Sequence, residues 1–379
     1  MGVSNGTDFE SEEVTIGSEH ATLSKKLDSG TEGVVYKIKE YDDYVVKIFY
    51  EDRRNRKAGK IQAMIPNNPN HDAIIWPEKI VSHYDTDEFL GYMMPFKDLN
   101  SAKNALHYTL TELKWEQSEK QHRHRVASNL ATMVKEIHEE GHAIGDFNHD
   151  NILIDPNGQV TLIDCDGYHI TDGSDLYQDD TYYPRYSPPE GRGENTLSDV
   201  QEADRFCLGV HIFQFLMNGY HPYLAQGNEA KDGDMEDKIA HNKFPYVYSN
   251  YQPIDEAPNI EQYEEEIPEY LQKLFKQCFI QAGKGTPTSD VIGEQKSSRP
   301  EISRWIRPYT EKNNSADSSE DTAQEDDDQH SENESENKNS PRGSKVEQNN
   351  IFSNWDNEAS GDEEDDTVGK DPFGHWDEF

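Results

Sequence analysis

The sequence lacks any apolar run approaching the roughly 20 residues that a helix needs to cross a bilayer, so no membrane-spanning segment is expected. Its start lacks the charged, apolar and small-residue succession of a secretory signal, and residues 1–21 read as a polar, disordered leader. Cysteine is scarce. Cys165, Cys207 and Cys278 stand far apart with no C-x-x-C pairing, which argues against a disulfide framework or a structural zinc site and for a reducing, cytoplasmic compartment. Positive charge is short too: 36 Lys and Arg face 75 Asp and Glu, a formal net charge of −39. A chain so acidic would repel nucleic acid and anionic membrane, which disfavours both as partners.

The negative charge falls in two places. From Pro308 onward there are 22 acidic and 5 basic residues, in a low-complexity stretch too polar to bury a core, so residues 308–379 are expected to form a disordered acidic tail. Within it Phe352-Ser353-Asn354-Trp355-Asp356 is echoed by Phe373-Gly374-His375-Trp376-Asp377, readable as chance or as a repeated peptide that docks in a groove. The remaining −22 is spread over the part that folds. Such a surface, beside a hydrophobic content of 33%, resembles that of proteins from salt-loving archaea, whose carboxylates hold water in concentrated salt. An acidic protein of ordinary salt is the alternative.

The most informative stretch runs from Gly145-Asp146-Phe147-Asn148-His149-Asp150-Asn151 through the apolar Ile152-Leu153-Ile154, then Pro156-Asn157-Gly158, to Leu162-Ile163-Asp164-Cys165-Asp166. Two short strands joined by a turn would bring Asp146, Asn151 and Asp164 to one end of a hairpin. There they can orient a hydroxyl and hold a divalent cation, which points to phosphoryl transfer.

Earlier in the chain, alternating apolar residues around glycines read as strands at 21–27, 34–39 and 44–49. Gly30 and Gly33 lie between the first two, where their backbone N–H groups can approach a polyphosphate and Val35 can pack on a base. A plain hairpin turn is the competing reading. Lys47 sits among apolar residues in the third strand and needs an anion, for which phosphate would serve. A helix follows from Glu51 to Ile65, with Arg53, Arg54, Arg56, Lys57 and Lys60; its basic residues form either a solvated face or a docking patch for an acidic partner. A long helix over Lys114–Glu140 then leads into the acidic turn. His122, His124, His138 and His142 nearby share no spacing with carboxylates that would make a metal site.

These residues, in this order, resemble a protein kinase catalytic domain over about residues 22–307. Gly30-x-x-Gly33-x-Val35, Lys47, Asp146, Asn151, Asp164, Pro189-Glu190, Asp204-Arg205-Phe206 and Arg299 carry the likeness. It implies an α+β, bilobal fold, with a small antiparallel β-sheet N-lobe (22–96) and a mainly helical C-lobe (97–307). It also implies ATP and Mg2+ as cofactors: Gly30, Gly33, Val35 and Lys47 on the nucleotide, Asp146 as catalytic base, Asn151 and Asp164 as metal ligands, and a structural Glu190–Arg299 ion pair. The expected activity is Ser/Thr protein phosphorylation. Motifs such as Gly145-Asp146-Phe147-Asn148 and Leu162-Ile163-Asp164-Cys165-Asp166-Gly167 are similar to a divergent prokaryotic branch often encoded beside a protein phosphatase and a von Willebrand A domain protein, which implies such partners.

Several departures bear on that expectation. Ile144 and Gly145 replace the catalytic-loop histidine and arginine, Asn148 replaces the lysine two after the base, and Tyr183 stands where a threonine is usual. Asp166 holds the last glycine position of the metal-binding triplet, as a third carboxylate near magnesium or as a turn cap. No glutamate lies between Asp52 and Pro77 to pair with Lys47, and Gln62 is the nearest polar substitute by spacing. A pseudokinase scaffold that binds nucleotide without turnover, and a small-molecule kinase, are the rival readings.

Overall fold

The computed structural model describes residues 9–99, 101–179, 183–190, 196–227, 234–247, 251–280 and 299–306. The first lobe contains strands β1 (Glu13–Ile16), β2 (Glu19–Ser29), β3 (Gly33–Ile38) and β4 (Tyr44–Phe49), helix α1 (Glu51–Met64), and strands β5 (Lys79–His83) and β6 (Phe89–Pro95). The strands close into an antiparallel barrel in the order β1-β2-β3-β4-β6-β5. Alternation decides which side chains fill it: Val14, Ile16, Leu23, Tyr36, Val46 and Ile48 point inward and are buried together. The opposite face of the same strands turns toward the second lobe, and there β4–β6 pairing sets Lys47 directly across from Tyr92.

The disordered leader expected over residues 1–21 is corrected by this barrel. Glu13–Ile16 is a strand paired with both β2 and β5, so the lobe begins well before residue 22. The turn between β1 and β2 uses Gly17 at φ +63°, a left-handed conformation that glycine adopts without a Cβ clash. Only Val14 and Ile16 mark the first strand as apolar, too short a pattern to stand out among the acidic residues around it.

The second lobe is mainly helical. In chain order it comprises β7 (Lys103–Asn104), α2 (Ala105–Glu112), α3 (Lys120–Glu139), β8 (Ile152–Ile154), β9 (Val160–Leu162), β10 (Ile170–Asp172), β11 (Asp175–Tyr177), α4 (Leu197–Leu216), α5 (Met235–Ala240), α6 (Ile260–Glu266) and α7 (Glu269–Phe279). Helix α3 starts at Lys120, six residues later than the periodicity predicts, and buries Val126, Leu130, Val134 and Ile137 on one stripe. Helix α4 begins with a reciprocal Thr196–Asp199 capping box and is buried on nearly every side from Phe206 to Leu216, making it the centre of this lobe. Among the described residues no helix is long and apolar enough to cross a membrane. The acidic tail, with both aromatic motifs, lies outside the described residues.

Candidate active site

The β8–β9 hairpin and the loop that precedes it build the lower half of the site. Helix α3 ends at Gly141, φ +78°, and the chain returns so that the N–H groups of Ile144 and Gly145 both donate to Asp204 of α4, at 2.7 and 2.9 Å. Asp204 is fully buried and also meets the His138 ring at 2.9 Å. Its carboxylate thereby fixes the backbone immediately before Asp146. Gly145, at φ +72°, has no room for a side chain, because a Cβ there would lie 2.6 Å from the His169 ring.

Asp146 is held from the other side by two amides. Asn148 Nδ2 donates to its Oδ1 at 3.0 Å, and Asn151 Nδ2 donates to its carbonyl at 3.0 Å and to Oδ2 at 3.4 Å. Asn148 Oδ1 meanwhile accepts from the N–H groups of Asp150 and Asn151. The residue that stands in place of a lysine is thus committed to shaping the loop. Beneath it, buried His211 donates from Nε2 to the Phe147 carbonyl at 3.1 Å, and burial pushes its pKa down to about 3.

Asn151 and Asp164 are brought side by side by backbone pairing, since Ile163 N–H donates to the Asn151 carbonyl at 3.1 Å. Asp164 is left-handed at φ +58°, which turns its half-exposed carboxylate to the cleft, where it pairs with Lys47. With the Asn151 nitrogen engaged by Asp146, the Asn151 amide oxygen and the Asp164 carboxylate are the donors suited to a hard cation. Among the described residues no group of three or more His, Cys, Asp or Glu could hold a metal ion. Two protein oxygens, completed by phosphates and water, suit Mg2+, which rarely sits in an all-protein cage.

The upper half comes from the barrel. Val35 is opposite Lys47 in the β3–β4 ladder, so both project from the face toward the second lobe. Gly33 opens β3, where a Cβ would come within 2.3 Å of the Ile48 carbonyl oxygen; close strand approach already requires glycine at this position. Gly30 has open space around it and donates its N–H to Gly33 O at 2.9 Å across the tight turn.

The partner of Lys47 was the open question of the sequence. Gln62 is exposed on the outer side of α1 and plays no part. Lys47 instead donates to Asp166 Oδ1 at 2.8 Å in addition to Asp164. Asp166 is wholly buried and accepts from the Tyr92 hydroxyl at 2.9 Å and from Lys57 of α1 at 3.3 Å. Both of its oxygens are thus engaged by lysine and tyrosine side chains in the interior, and neither is exposed. Burial alone would push Lys47 down and Asp166 up. The opposite charges outweigh it, holding the ammonium above the usual lysine range and the Asp166 carboxyl well below the usual carboxylate range.

The basic helix is divided between two environments. Arg53, Arg54 and Arg56 are half-buried or exposed, as a solvated face would be, whereas Lys57 and Lys60 are buried. Lys57 reaches Glu32 of the glycine turn at 2.6 Å and Asp179 at 3.1 Å as well as Asp166. Lys60 lies 3.6 Å from Asp179 with no hydrogen-bond partner for its ammonium. Lys57 and Glu32 are the residues that spacing alone does not single out for a site role, whereas Asp166 and Asp204 stand out in the sequence but the contacts they make do not. The one available signal was the pair of lysines three apart on a helix otherwise apolar on that side, at Ile61 and Met64.

Farther down the chain Arg299 makes a two-pronged ion pair with Glu190, its second arm at 2.9 Å, and also donates to the Glu202 carbonyl of α4 at 3.4 Å. This braces the segment after β11 against the central helix. Tyr183 stacks edge-on against His149 just outside the catalytic loop.

With this geometry the sequence relationships agree. A family model described as protein kinase domain matches residues 21–292. Among curated proteins the chain is 26% identical over 304 residues to protein kinase YegI of Escherichia coli strain K12, covering 76% of this chain and 46% of that protein. It is 26% identical over 305 residues to protein kinase YegI of Escherichia coli O157:H7, covering 77% and 45%. The chain thus spans less than half the length of these relatives.

Proposed function

The chain belongs to the protein kinase family, and on that footing we propose that it transfers the γ-phosphoryl group of ATP to a Ser or Thr hydroxyl of a protein substrate. The observation that carries this reading is the meeting of Asp146, Asn151, Asp164 and Lys47 at the junction of the two lobes. Asp146, steadied by Asn148 and Asn151, orients the acceptor hydroxyl and takes its proton. Lys47 meets the nucleotide phosphates, the Gly30–Gly33 turn lends backbone N–H groups, and Val35 packs on the base. Bound at Asn151 and Asp164, Mg2+ would neutralise charge on the phosphates. Positioning and charge supply most of the rate in this chemistry, so these side chains suffice in kind. The Glu190–Arg299 brace supports a peptide-binding segment and hence a protein acceptor over a small molecule. The likeness to the phosphatase-associated branch motivates a phosphatase and a von Willebrand A domain protein as partners, in a cytoplasmic setting.

One observation favours a scaffold that binds nucleotide without turnover. Asn148 spends its amide on Asp146 and the turn, so position 148 offers no cation to the transferred group. Phosphate transfer from labelled ATP to a panel of protein substrates separates the readings. Asp146→Ala is expected to lower transfer roughly 10²- to 10⁴-fold while nucleotide binding persists. Equal transfer by both proteins would refute the catalytic role of Asp146. Nucleotide binding by the unaltered chain with no transfer at all would favour the scaffold, and transfer only to a sugar would favour a small-molecule kinase.

A further inference from the structure

Four elements meet at the back of the cleft around two buried ammonium groups. Lys47 comes from β4 and Lys57 from α1, and both lie against the Phe49 ring, 5.7 and 5.8 Å from its centre. A single carboxylate, Asp166, joins them: Oδ1 accepts from Lys47 at 2.8 Å and from the Tyr92 hydroxyl at 2.9 Å, while Oδ2 faces Lys57 at 3.3 Å. Lys57 also donates to the Asp166 carbonyl at 3.2 Å, so the backbone and the side chain of this one residue are both tied to α1. Asp166 and Lys57 are 0% and 1% exposed.

In this geometry the helix and the phosphate-binding lysine are connected through an anion that belongs to neither. A lysine from α1 meets the carboxylate that Lys47 leaves half satisfied. Removing either lysine would leave the buried Asp166 carboxylate short of a counterion, and removing Asp166 would leave Lys47 to Asp164 and Lys57 to Glu32 and Asp179. We propose that Asp166 is the positioning residue for Lys47, and that Lys57 of α1 is the counterion that keeps Asp166 in place, so that the missing helix glutamate is replaced by a carboxylate from the opposite lobe. This rests on the reading of Lys47 as the phosphate lysine.

Two properties follow. Asp166 acts on nucleotide through Lys47 and not on its own, since its oxygens are taken and it has no exposed surface. The position of α1 is also felt at Lys47 through Lys57, whose contact with Glu32 extends the link to the glycine turn.

The test is a cycle of isosteric or near-isosteric variants, read by binding of a fluorescent, non-hydrolysable ATP analogue, with thermal melting of the unliganded protein as a second measurement. Lys47→Met and Asp166→Asn are each expected to weaken analogue binding roughly 10- to 100-fold, and the double variant to be no weaker than Lys47→Met alone. Lys57→Met is expected to weaken binding in the native background and to have little further effect with Asp166→Asn. In melting, Lys57→Met and Asp166→Asn should each lower Tm, and together lower it by less than the sum. Independent losses from Lys47→Met and Asp166→Asn, or an Asp166→Asn protein that binds as well as the native one while Lys47→Met does not, would overturn the proposal alone. A Lys47→Met protein with native affinity would overturn the reading of Lys47 and the proposal with it. A loss in Asp166→Asn that raised magnesium restores would make Asp166 a metal ligand and overturn its positioning role.

Discussion

At Gly145 a single missing side chain reports on how the catalytic loop is built. Its φ of +72° and the His169 ring 2.6 Å from a Cβ position leave no space for the arginine that the family usually carries there. The loop is held instead from below, by Asp204 receiving two backbone N–H groups. Asp204→Ala would remove the acceptor of both N–H groups, the Ile144 one buried, at about 1–3 kcal/mol for each buried donor left unmatched. A loss of stability on the order of 3 kcal/mol is expected by urea unfolding, with a fall in phosphate transfer because Asp146 follows directly. Asp204→Asn, which keeps one acceptor oxygen, should lose less. A native unfolding curve for Asp204→Ala would show that the loop has other support. Asp146, Asn151 and Asp164 were legible in the sequence because a short hairpin fixes their relation within 18 residues. Asp204, 59 residues from Gly145, was legible as the acidic start of the central apolar helix, but its hold on the backbone before Asp146 was not.

Helix α1 carries the second lesson. Its buried residues are Lys57, Lys60, Ile61, Ala63 and Met64, a helical face whose first two members are lysines, and hydrophobic periodicity cannot see such a face. Of the two lysines Lys57 is fully partnered and Lys60 is not. Burial, helped by the neighbouring Lys57 ammonium and only partly offset by Asp179 at 3.6 Å and by Asp166, lowers the Lys60 pKa to about 8 from 10.5. Below pH 8 the folded protein carries this lysine charged at a cost on the order of 3 kcal/mol. Between pH 8 and 10.5 the unfolded chain holds the proton more tightly than the folded one, so the cost fades as pH rises. Lys60→Met is therefore expected to be more stable than the native protein at pH 7, by an amount that shrinks from pH 8 to pH 10. Urea unfolding at several pH values measures it. A gap independent of pH would mean that folding does not lower the Lys60 pKa.

Over the whole molecule, the two lobes are joined through a dense set of opposite charges while the chain as a whole is strongly acidic, −39. Screening acts differently on the two. Buried pairs such as Lys57–Asp166 are little affected by salt, whereas repulsion among surface carboxylates falls as the Debye length shrinks from about 10 Å at 0.1 M to about 3 Å at 1 M. Tm is expected to rise with KCl over that range, most steeply if the protein comes from a salt-rich cell. A Tm that falls or stays level would count against the halophilic reading. The fold was legible at this scale as two lobes, and the barrel was not, because β1 offers only Val14 and Ile16 as apolar signals and gains its meaning from pairing with β5, over 60 residues away.

The sequence by itself determined the family, the order of the lobes and the three polar residues at the hairpin end, since each depends on spacing that a local segment enforces. Tertiary structure decided how Lys47 is held. Its partner Asp166 is 119 residues distant, Lys57 is 109 residues from that same carboxylate, and a buried cation looks in sequence like any solvated lysine until the fold supplies the anion beside it.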